Sequence, residues 1–370
     1  MKNDKSTLPL DVSDSIRSIK PYVPGKPLEE LEREYGIADS IKLASNENPL
    51  GPSPKAVEAV MGALSRLNRY PEGSARELIR KLAGKHGIDP GNIIVGNGSD
   101  DIIGMLAVTF LGPGTEVILP RPSFLMYEIA ARSVDAVPVF ASLDAEMGID
   151  LEKIVSCITS ATRMIFLCNP NNPTGTVITD TRMEAFFREI PTRIIIVVDE
   201  AYIEFVRDKA CTSTICRLDE SRPVVALRTF SKAYGLAGLR AGYGVMPREI
   251  AGFLNRVRQP FNMNALAQAG AAAALEDAAF FEKTLKTIHD GLDDLYRNLE
   301  RLGLRYFPTQ ANFFLIDVGR NADEVFERLL RKGVIVRSMT AYGFPTCIRV
   351  NVGLPQENKR LIQTLENVLA

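Results

Sequence analysis

Short apolar runs alternate with amphipathic segments along the first two thirds of the chain. The apolar runs are NIIVG (92–96), TEVILP (115–120), RMIFLC (163–168), RIIIVVD (193–199) and PVVALR (223–228). Between them lie segments with apolar residues at helical spacing, such as PKAVEAVMGALSRLN (54–68) and SARELIRKLAGKHG (74–87). Continuous β-branched runs between helices are typical of a mostly parallel sheet that helices cover on both faces. We therefore predict an α/β fold whose functional loops follow the carboxyl ends of the strands.

The pattern changes in the last third of the chain. One long helical stretch (273–303) precedes three strand-like runs, NFFLIDV (312–318), GVIVRSM (333–339) and CIRVNVG (347–353). These runs predict a smaller α+β domain, and 370 residues exceed the usual size of a single core. We predict a large domain over residues 46–285 and a small domain formed by residues 1–45 and 286–370, with the N-terminal segment as an arm. The cleft between them is the expected place for a site.

Composition and charge point to a partner of small size. The chain has 46% hydrophobic and 24% charged residues and a net charge of -1, so it has no overall positive field to bind nucleic acid or a membrane surface. Its first ten residues, MKNDKSTLPL, contain no long apolar run, which predicts neither a secretory signal nor a membrane anchor. A cytoplasmic protein with small-molecule substrates is therefore expected.

Cysteine and histidine chemistry is poorly supported. The five cysteines are scattered without the spacing of zinc ligands, at positions 157, 168, 211, 216 and 347. We therefore predict neither a disulfide framework nor a metal site. The two histidines, His86 and His289, lie in charged helical segments, where surface positions are more common than catalytic ones.

The segment TFSKAYGLAGLRAGY (229–243) carries the most specific chemistry. Lys232 can form a Schiff base with a carbonyl compound, and a nearby cation such as Arg240 can lower the pKa of its amine. Thr229, Ser231 and Arg240 are also suitable donors to a phosphate. A reactive lysine among phosphate ligands suggests pyridoxal phosphate, whereas the alternative for the segment alone is a surface turn with two solvated cations.

A second phosphate-binding signal follows the first apolar run. GNGSDD (96–101) places glycines between a strand and a helix, where the backbone N–H groups of Ser99 and Asp100 can bind one phosphate. The segment lacks the third glycine of the dinucleotide fingerprint. A nicotinamide-dependent dehydrogenase is therefore a remote alternative.

Polar and aromatic residues after the other strands would complete a pyridoxal site. Asp199 ends a strongly apolar run, where a carboxylate needs a cationic partner such as a protonated pyridine nitrogen. Asn172 and Tyr202 can hydrogen-bond the ring oxygen. Phe124 or Tyr127 can stack on the ring face; we favour Phe124, because packing on a helix face explains Tyr127.

These motifs, taken in order, resemble the fold-type I pyridoxal-phosphate-dependent aminotransferases, which have an aspartate-aminotransferase-like fold. The resemblance covers nearly the whole chain. It rests on LASNENPLGPSP (43–54), RYPEGSARELIRKLA (69–83), GNGSDD, NPNNPTGT (169–176), DEAYIEF (199–205), the Lys232 segment and IRVNVG (348–353). Phe124 stands where many relatives carry tyrosine, so stacking is kept while a hydroxyl is lost.

The resemblance implies a role for each matched residue. The implied catalytic residues are Lys232, Asp199 and Tyr202. The implied cofactor ligands are Lys232, Ser99, Asp100, Phe124, Asn172, Asp199, Tyr202, Ser231, Arg240 and, from the other subunit of a homodimer, Tyr70. The implied substrate ligands are Tyr22, Asn46, Arg337 and Arg349, of which Arg349 supplies a bidentate fork for an anion.

Within that family, the match is strongest to enzymes that act on L-histidinol phosphate. The implied reaction transfers its amino group to 2-oxoglutarate and yields imidazole acetol phosphate and glutamate, a step of histidine biosynthesis. Lys232 would move the proton between substrate and cofactor. Two activities on the same scaffold stay open, an aromatic amino-acid aminotransferase and a threonine-phosphate decarboxylase. A non-catalytic ligand-binding or regulatory homologue is the alternative from another class.

Overall fold

The structure is a computed structural model that describes residues 11–21, 28–37 and 39–370. Its strands are Ile41–Lys42 (β1), Ile93–Asn97 (β2), Glu116–Arg121 (β3), Val137–Ser142 (β4), Thr162–Cys168 (β5), Ile195–Asp199 (β6), Val224–Thr229 (β7), Ala241–Val245 (β8), Arg305–Phe307 (β9), Phe313–Asp317 (β10), Val334–Ile335 (β11), Arg337–Ser338 (β12) and Cys347–Asn351 (β13).

The described helices begin with Asp14–Ser18 (α1) and Leu28–Tyr35 (α2). The helices of the central part are Pro54–Ala63 (α3), Arg76–His86 (α4), Ser99–Phe110 (α5), Met126–Ser133 (α6), Leu151–Ser156 (α7), Asp180–Glu189 (α8), Arg248–Val257 (α9) and Ala265–Ala274 (α10). The C-terminal helices are Ala278–Arg301 (α11), Ala322–Leu330 (α12) and Pro355–Leu369 (α13).

The large sheet has seven strands in the order β2-β8-β7-β6-β5-β3-β4. Strand β8 is antiparallel to both of its neighbours, and all other pairs are parallel. The five predicted runs form β2, β3, β5, β6 and β7, so the predicted α/β fold is confirmed. The predictions missed β4, an edge strand that contains Pro138, and β8, whose sequence AGYGV has two glycines. Both compositions are unfavourable for a strand when only local sequence is considered.

Helices cover both faces of this sheet. Residues of α5, α6 and α9 pack on one face in a single apolar cluster. Residues of α7 and α8 pack on part of the opposite face, and residues of α3, α4 and α10 cover the remainder. The carboxyl ends of β5, β6 and β7 therefore open at one edge of a rigid three-layer unit, where loops can present polar side chains.

The C-terminal part forms a second core around a four-stranded antiparallel sheet, in the order β12-β13-β10-β9. Helices α11, α12 and α13 supply its apolar side chains. Strand β1 pairs with β11 in parallel, which attaches part of the N-terminal segment to this core. The α+β character expected for the smaller unit is thus observed.

The helical stretch predicted over residues 273–303 is two helices instead of one. Helix α10 ends at Ala274, and α11 starts at Ala278 after Asp277. The Asp277 carboxylate caps the first turn of α11 by accepting from Phe280 N and also accepts from Ser53 Oγ at 2.6 Å. A cap of this kind interrupts an otherwise continuous helical pattern. The domain boundary expected at residue 285 falls inside α11, and that division stays a prediction.

Within the described ranges, no helix is long and apolar enough to cross a membrane. The same part of the chain contains no group of three or more His, Cys, Asp or Glu residues that could hold a metal ion. All five cysteines are free thiols.

Candidate active site

A cavity of about 170 Å³ lies at the carboxyl ends of β5, β6 and β7 and at the start of α5. It is lined by Ser45, Glu47, Gly98, Ser99, Asp100, Phe124, Cys168, Asn172, Asp199, Ala201, Tyr202, Thr229, Ser231, Lys232, Ala237 and Arg240. The structure therefore brings together residues that lie far apart in the sequence and were predicted separately. They are Lys232, Asp199, Tyr202, Asn172, Phe124, Ser99, Asp100, Ser231 and Arg240.

Lys232 lies on the loop after β7 and points its amine into the cavity. Its Nζ donates to the Ser45 carbonyl oxygen at 3.1 Å and lies 5.7 Å from the centre of the Tyr202 ring. Burial, followed by the positive charge of Arg349, lowers the pKa of Lys232 to about 8. A sizeable fraction of this amine is therefore neutral in mildly alkaline solution and can act as a nucleophile.

Asp199 ends β6 and is only 2% exposed. Its Oδ2 accepts from the Tyr127 hydroxyl at 2.8 Å, and its Oδ1 accepts from Ala201 N at 3.1 Å. It forms no ion pair with any residue of the described ranges. Burial raises the pKa of Asp199 to about 6 in spite of the Tyr127 hydrogen bond, which acts in the opposite direction.

The start of α5 forms a cradle of backbone N–H groups. Gly98 precedes the helix with φ of 80°, and no side chain caps the helix start. A Cβ at Gly98 would lie 2.8 Å from Arg240 Nη2, and one at Gly242 would lie 2.4 Å from Ser99 N. Only glycine at these two positions allows Arg240 and β8 to approach the helix start so closely. Arg240 Nη2 lies 3.3 Å from Asp100 Oδ2, so the guanidinium that we assigned to a phosphate is paired with a carboxylate.

Two hydroxyl-bearing residues stand beside this cradle. Thr229 Oγ1 donates to Ser231 Oγ at 2.9 Å and accepts from Ser231 N at 3.1 Å. Both residues are buried, at 6% and 7% exposure, so the short link between β7 and Lys232 is held by its own side chains. A hydroxyl in such a network can redirect its proton to a bound anion.

Two hydrogen-bonded pairs, Asn46 with Tyr202 and Arg349 with Asn172, join the cavity to the smaller core. Asn46 Nδ2 donates to the Tyr202 hydroxyl at 3.0 Å, which leaves the phenolic proton available to a ligand. The buried Asn46 Oδ1 has no hydrogen-bond partner among the residues that the structure describes. Arg349 Nη1 donates to Asn172 Oδ1 at 2.6 Å, and Arg349 Nη2 donates to the Ala44 carbonyl at 2.9 Å.

Four of the predicted residues that the structure describes do not belong to the lining of this cavity: Asn46, Arg349, Arg337 and Tyr70. Arg337 lies directly opposite Arg349 in the pairing of β12 with β13. Tyr70 is 83% exposed and stacks on Phe261, with ring centres 4.7 Å apart. Tyr22 lies outside the described residues. The exposure of Tyr70 is compatible with its predicted role in a second subunit, which stays a prediction.

Tyr127 does more than pack on a helix face, which was its expected role. Its ring packs edge-on against Phe124, and its hydroxyl reaches Asp199. The local signal, a tyrosine three residues after an aromatic candidate, could not reveal a partner 72 positions away. Ser45 and Glu47, which flank Asn46, and Cys168 at the end of β5 were also missed. Neither histidine reaches the cavity, since His86 contacts the Tyr243 hydroxyl and His289 contacts the Phe205 carbonyl.

Comparisons with known proteins agree with this geometry. Residues 38–365 match the sequence profile of the family Aminotransferase class I and II. This chain therefore belongs to the class I and II aminotransferases.

Similar proteins narrow the assignment within that class. The chain is 46% identical to histidinol-phosphate aminotransferase of Moorella thermoacetica over 96% of this chain and 92% of that protein. It is 48% identical to the Desulfotalea psychrophila protein of the same name, over 98% and 96%. Histidinol-phosphate aminotransferase of Sinorhizobium meliloti, solved in complex with pyridoxal-5'-phosphate, superposes with a TM-score of 0.89 at 27% identity over 97% of each chain. The chain thus belongs among the histidinol-phosphate aminotransferases.

Proposed function

We propose that this enzyme transfers the amino group of L-histidinol phosphate to 2-oxoglutarate, using pyridoxal 5'-phosphate, and so serves histidine biosynthesis. One observation carries the proposal: a single cavity presents the amine of Lys232 and the buried carboxylate of Asp199, which has no ion-pair partner in the described ranges. An amine of lowered pKa and an uncompensated carboxylate are the two groups that a pyridoxal ring requires. The choice of histidinol phosphate as the substrate rests on the names of the similar proteins.

The residues present fit this cofactor. The uncapped start of α5, with Ser99, Asp100, Ser231 and Arg240 beside it, suits a phosphate dianion. Arg240 would exchange the Asp100 carboxylate for this more highly charged partner. Lys232 would hold the cofactor covalently.

The remaining groups would hold the ring of the cofactor. Tyr202 and the Asn172 amide would donate to its phenolic oxygen, and Phe124 would pack on its face. Asp199 would accept from the ring nitrogen. When bound, pyridoxal phosphate supplies an electron sink for the electron pair left behind when a proton leaves the substrate carbon.

The side chains in the cavity can perform the proton transfers of the reaction. Lys232 Nζ, once released by the substrate amine, would remove the proton from the carbon that bears that amine, because its lowered pKa makes it an effective base near neutral pH. Tyr202 also lines the cavity, and its hydroxyl would hold a proton at the ring oxygen of the cofactor. Asp199 and Tyr202 are buried, at 2% and 4% exposure, which strengthens their electrostatic contacts.

Arg349, Arg337 and Asn46 would bind the substrate. Arg349 is 8% exposed, and its guanidinium is oriented by Asn172 and the Ala44 carbonyl. A planar fork held in this way suits either a phosphate or a carboxylate. One pocket would therefore accept the phosphate of histidinol phosphate and, in the second half-reaction, a carboxylate of glutamate. Asn46 Oδ1, which has no hydrogen-bond partner among the described residues, would supply a further acceptor.

The decisive experiment is amino transfer by the purified enzyme with three donors, L-histidinol phosphate, phenylalanine and O-phosphothreonine. We expect a clear preference in kcat/KM for histidinol phosphate. A preference for phenylalanine would indicate an aromatic aminotransferase, and release of carbon dioxide from O-phosphothreonine would indicate a decarboxylase.

A pair of lysine variants tests the enzyme class itself. Lys232→Ala should lose both the absorbance of bound cofactor and at least about 10⁴-fold in activity. Lys286→Ala, which alters an exposed lysine on α11, should lose neither. Loss of neither property in Lys232→Ala would favour a ligand-binding protein.

We further propose that the enzyme is a homodimer whose subunits share their active sites. An exposed apolar face runs along α3 and the turn after it, with Val57, Met61, Leu64 and Leu67 each between 41% and 66% exposed. A groove next to this face is formed by α3 and by residues 235–239, which directly precede Arg240. An apolar face of this kind on a helix suits a symmetric contact with a second copy. Tyr70 would then reach the partner's cofactor phosphate.

Subunit mixing tests the shared site. A dimer of Lys232→Ala chains lacks the amine, and a dimer of Tyr70→Phe chains lacks the donated hydroxyl. After the two variants are unfolded and refolded together, mixed dimers should contain one site with both groups intact and should regain activity above the sum of the parents. Activity that merely averages the parents would contradict a shared active site.

The cytoplasmic location inferred from the sequence stays a prediction.

A further inference from the structure

Tyr127 is buried directly behind the predicted cofactor site. Its side chain is 0% exposed. The ring stacks on Phe166 at 4.6 Å and meets Phe124 edge-on at 5.4 Å, while the hydroxyl donates to Asp199 Oδ2 at 2.8 Å. One side chain therefore contacts two walls of the cavity, the aromatic wall and the acidic wall.

The ring of Tyr127 needs no hydroxyl for packing. It belongs to one apolar cluster with Phe166, Ile103 and Ala131, and phenylalanine would fill the same space. A buried hydroxyl costs free energy unless it is hydrogen-bonded. Its bond to a carboxylate is charge-assisted and stronger than a neutral one. The hydroxyl is thus explained by Asp199.

The hydrogen bonds of Asp199 leave room for a ligand. A carboxylate has about four acceptor positions, and the chain fills two of them, one on each oxygen, with Tyr127 Oη and Ala201 N. These two donors fix the plane of the carboxylate. At least one position on the cavity side remains available for the N–H of a protonated ring.

We propose that Tyr127 is a positioning residue, which holds the Asp199 carboxylate ionised and oriented so that the cavity receives the ring nitrogen of the cofactor in its protonated form. The inference rests on the proposed function. Tyr127 itself touches neither substrate nor cofactor and acts through Asp199, and its edge contact with Phe124 aligns the second wall of the same cavity.

The charges around Asp199 show why such a donor is needed. Asp100 on α5 and the neighbouring Glu200 both disfavour its ionisation, as burial does. The thiol of Cys168 on β5 and the phenol of Tyr202 are neutral neighbours, because burial raises the pKa of each and the charge of Asp199 raises it further. The cationic groups on this side of the cavity are Lys232, Arg240 and Arg349, and none forms an ion pair with Asp199 within the described ranges. The Tyr127 hydroxyl and Ala201 N are therefore the donors that stabilise the ionised carboxylate of Asp199.

The test is cofactor binding to Tyr127→Phe, measured by titration of cofactor-free protein with pyridoxal phosphate between pH 5 and pH 9. We expect roughly 10- to 100-fold weaker binding at neutral pH, the range for loss of a hydrogen bond to a charged group. We also expect the pH midpoint of binding to shift upward relative to wild type, because Asp199 then stays protonated to higher pH.

Tyr243→Phe is the matched control. Tyr243 is 3% exposed and its hydroxyl contacts His86 Nε2 at 2.9 Å, outside the cavity. This variant should leave the affinity within about twofold and the pH midpoint unchanged. Thermal unfolding of both cofactor-free variants checks that each is folded. A merely structural role for Tyr127 would lower stability without moving the midpoint.

Coupling to Asp199 provides a second readout. In an Asp199→Asn background, the Tyr127→Phe change should cost less than about threefold in cofactor affinity, because the charge that it serves is absent. An unchanged affinity and pH midpoint in Tyr127→Phe, beside a wild type that binds normally, would overturn the inference alone. A wild type that takes up no pyridoxal phosphate would overturn the proposed function, and the inference with it.

Discussion

Two neighbouring carboxylates at the end of β6 lie in opposite environments. Asp199 and Glu200 are 2% and 1% exposed. Glu200 lies 3.2 Å from Arg228 Nη1, and Arg228 also binds Glu204 at 2.6 Å. Asp199 has hydrogen-bond donors but, in the described part of the chain, no cation. Among the described residues, the buried carboxylate of Glu200 therefore has a cationic partner in the protein, whereas that of Asp199 in the cavity has none.

This difference separates a structural role from a functional one. A buried ion pair with good hydrogen bonds roughly balances its desolvation cost, whereas a buried charge without a counterion is costly. The fold tolerates that cost at Asp199, where a ligand with a protonated nitrogen would remove it. Glu200, next in sequence, needs no ligand because Arg228 fills that place.

Removal of the cavity carboxylate should have the largest effect. Asp199→Asn should lower kcat/KM roughly 10³-fold or more, because the charge that stabilises the protonated ring is lost. The same change should leave the unfolding free energy of the cofactor-free protein at pH 7 equal or higher, since a buried charge disappears. Steady-state kinetics and urea unfolding measure the two quantities. A large loss of stability with retained kcat/KM would reverse the roles assigned to Asp199 and Glu200.

Removal of Arg228, the cation that pairs with Glu200, should mainly lower the free energy of unfolding. Arg228→Met leaves Glu200 and Glu204 buried without their partner, and we expect a loss of about 3 kcal/mol in unfolding free energy. Arg217→Met is the control, because Arg217 pairs with Asp180 and Glu184 nearer the surface and should cost about 1 kcal/mol or less. A cost for Arg228→Met no greater than that of the control would contradict the comparison.

The pH dependence of stability should reveal Asp199 in the cofactor-free protein. Its pKa in the folded state is about 6, against an ordinary value of 3.8 for an aspartate side chain. The folded state therefore binds more protons than the unfolded state between these values, so stability should fall as pH rises from about 4 to about 6. The expected fall is on the order of 3 kcal/mol. Urea unfolding across this range should show the slope in wild type but not in Asp199→Asn, whereas equal slopes would exclude Asp199 as its source.

Glu200→Gln should give the smallest effect of the set. The amide oxygen can still accept from Thr214 N, whereas the amide nitrogen replaces the oxygen that accepts from Ser213 Oγ and Arg228 Nη1, and the negative charge is lost. We expect a loss of about 1–2 kcal/mol in stability and a kcat/KM within about fivefold of wild type. A catalytic defect as large as that of Asp199→Asn would show that the two carboxylates act as one unit.

The sequence was sufficient for the parts of the fold and site that depend on local patterns. Apolar runs predicted β2, β3, β5, β6 and β7, and the polar residues at the end of β6 and in the loop after β7 predicted Asp199 and Lys232. Because the carboxyl ends of parallel strands lie at the same edge of a sheet, Asp199 and Lys232 were expected to lie close together.

Features that depend on contacts between distant segments could not be predicted. Strand β8 is glycine-rich because its backbone must approach Ser99, a contact that no local pattern encodes. The hydroxyl of Tyr127 matters only because Asp199 lies 72 positions further along. Arg240 follows a phosphate-binding pattern, yet its guanidinium also pairs with the carboxylate of Asp100. The break between α10 and α11 depends likewise on Asp277 and its contact with Ser53.

The protonation of Asp199 tests the central claim most directly. The carboxyl carbon signal of Asp199, assigned by comparison with Asp199→Asn and followed by NMR against pH, reports its pKa with and without pyridoxal phosphate. We predict a midpoint near pH 6 in the cofactor-free protein and a midpoint below about 4 in the complex, because the ring nitrogen supplies the missing cation. The same midpoint in both states would contradict the assignment of Asp199 to the cofactor ring.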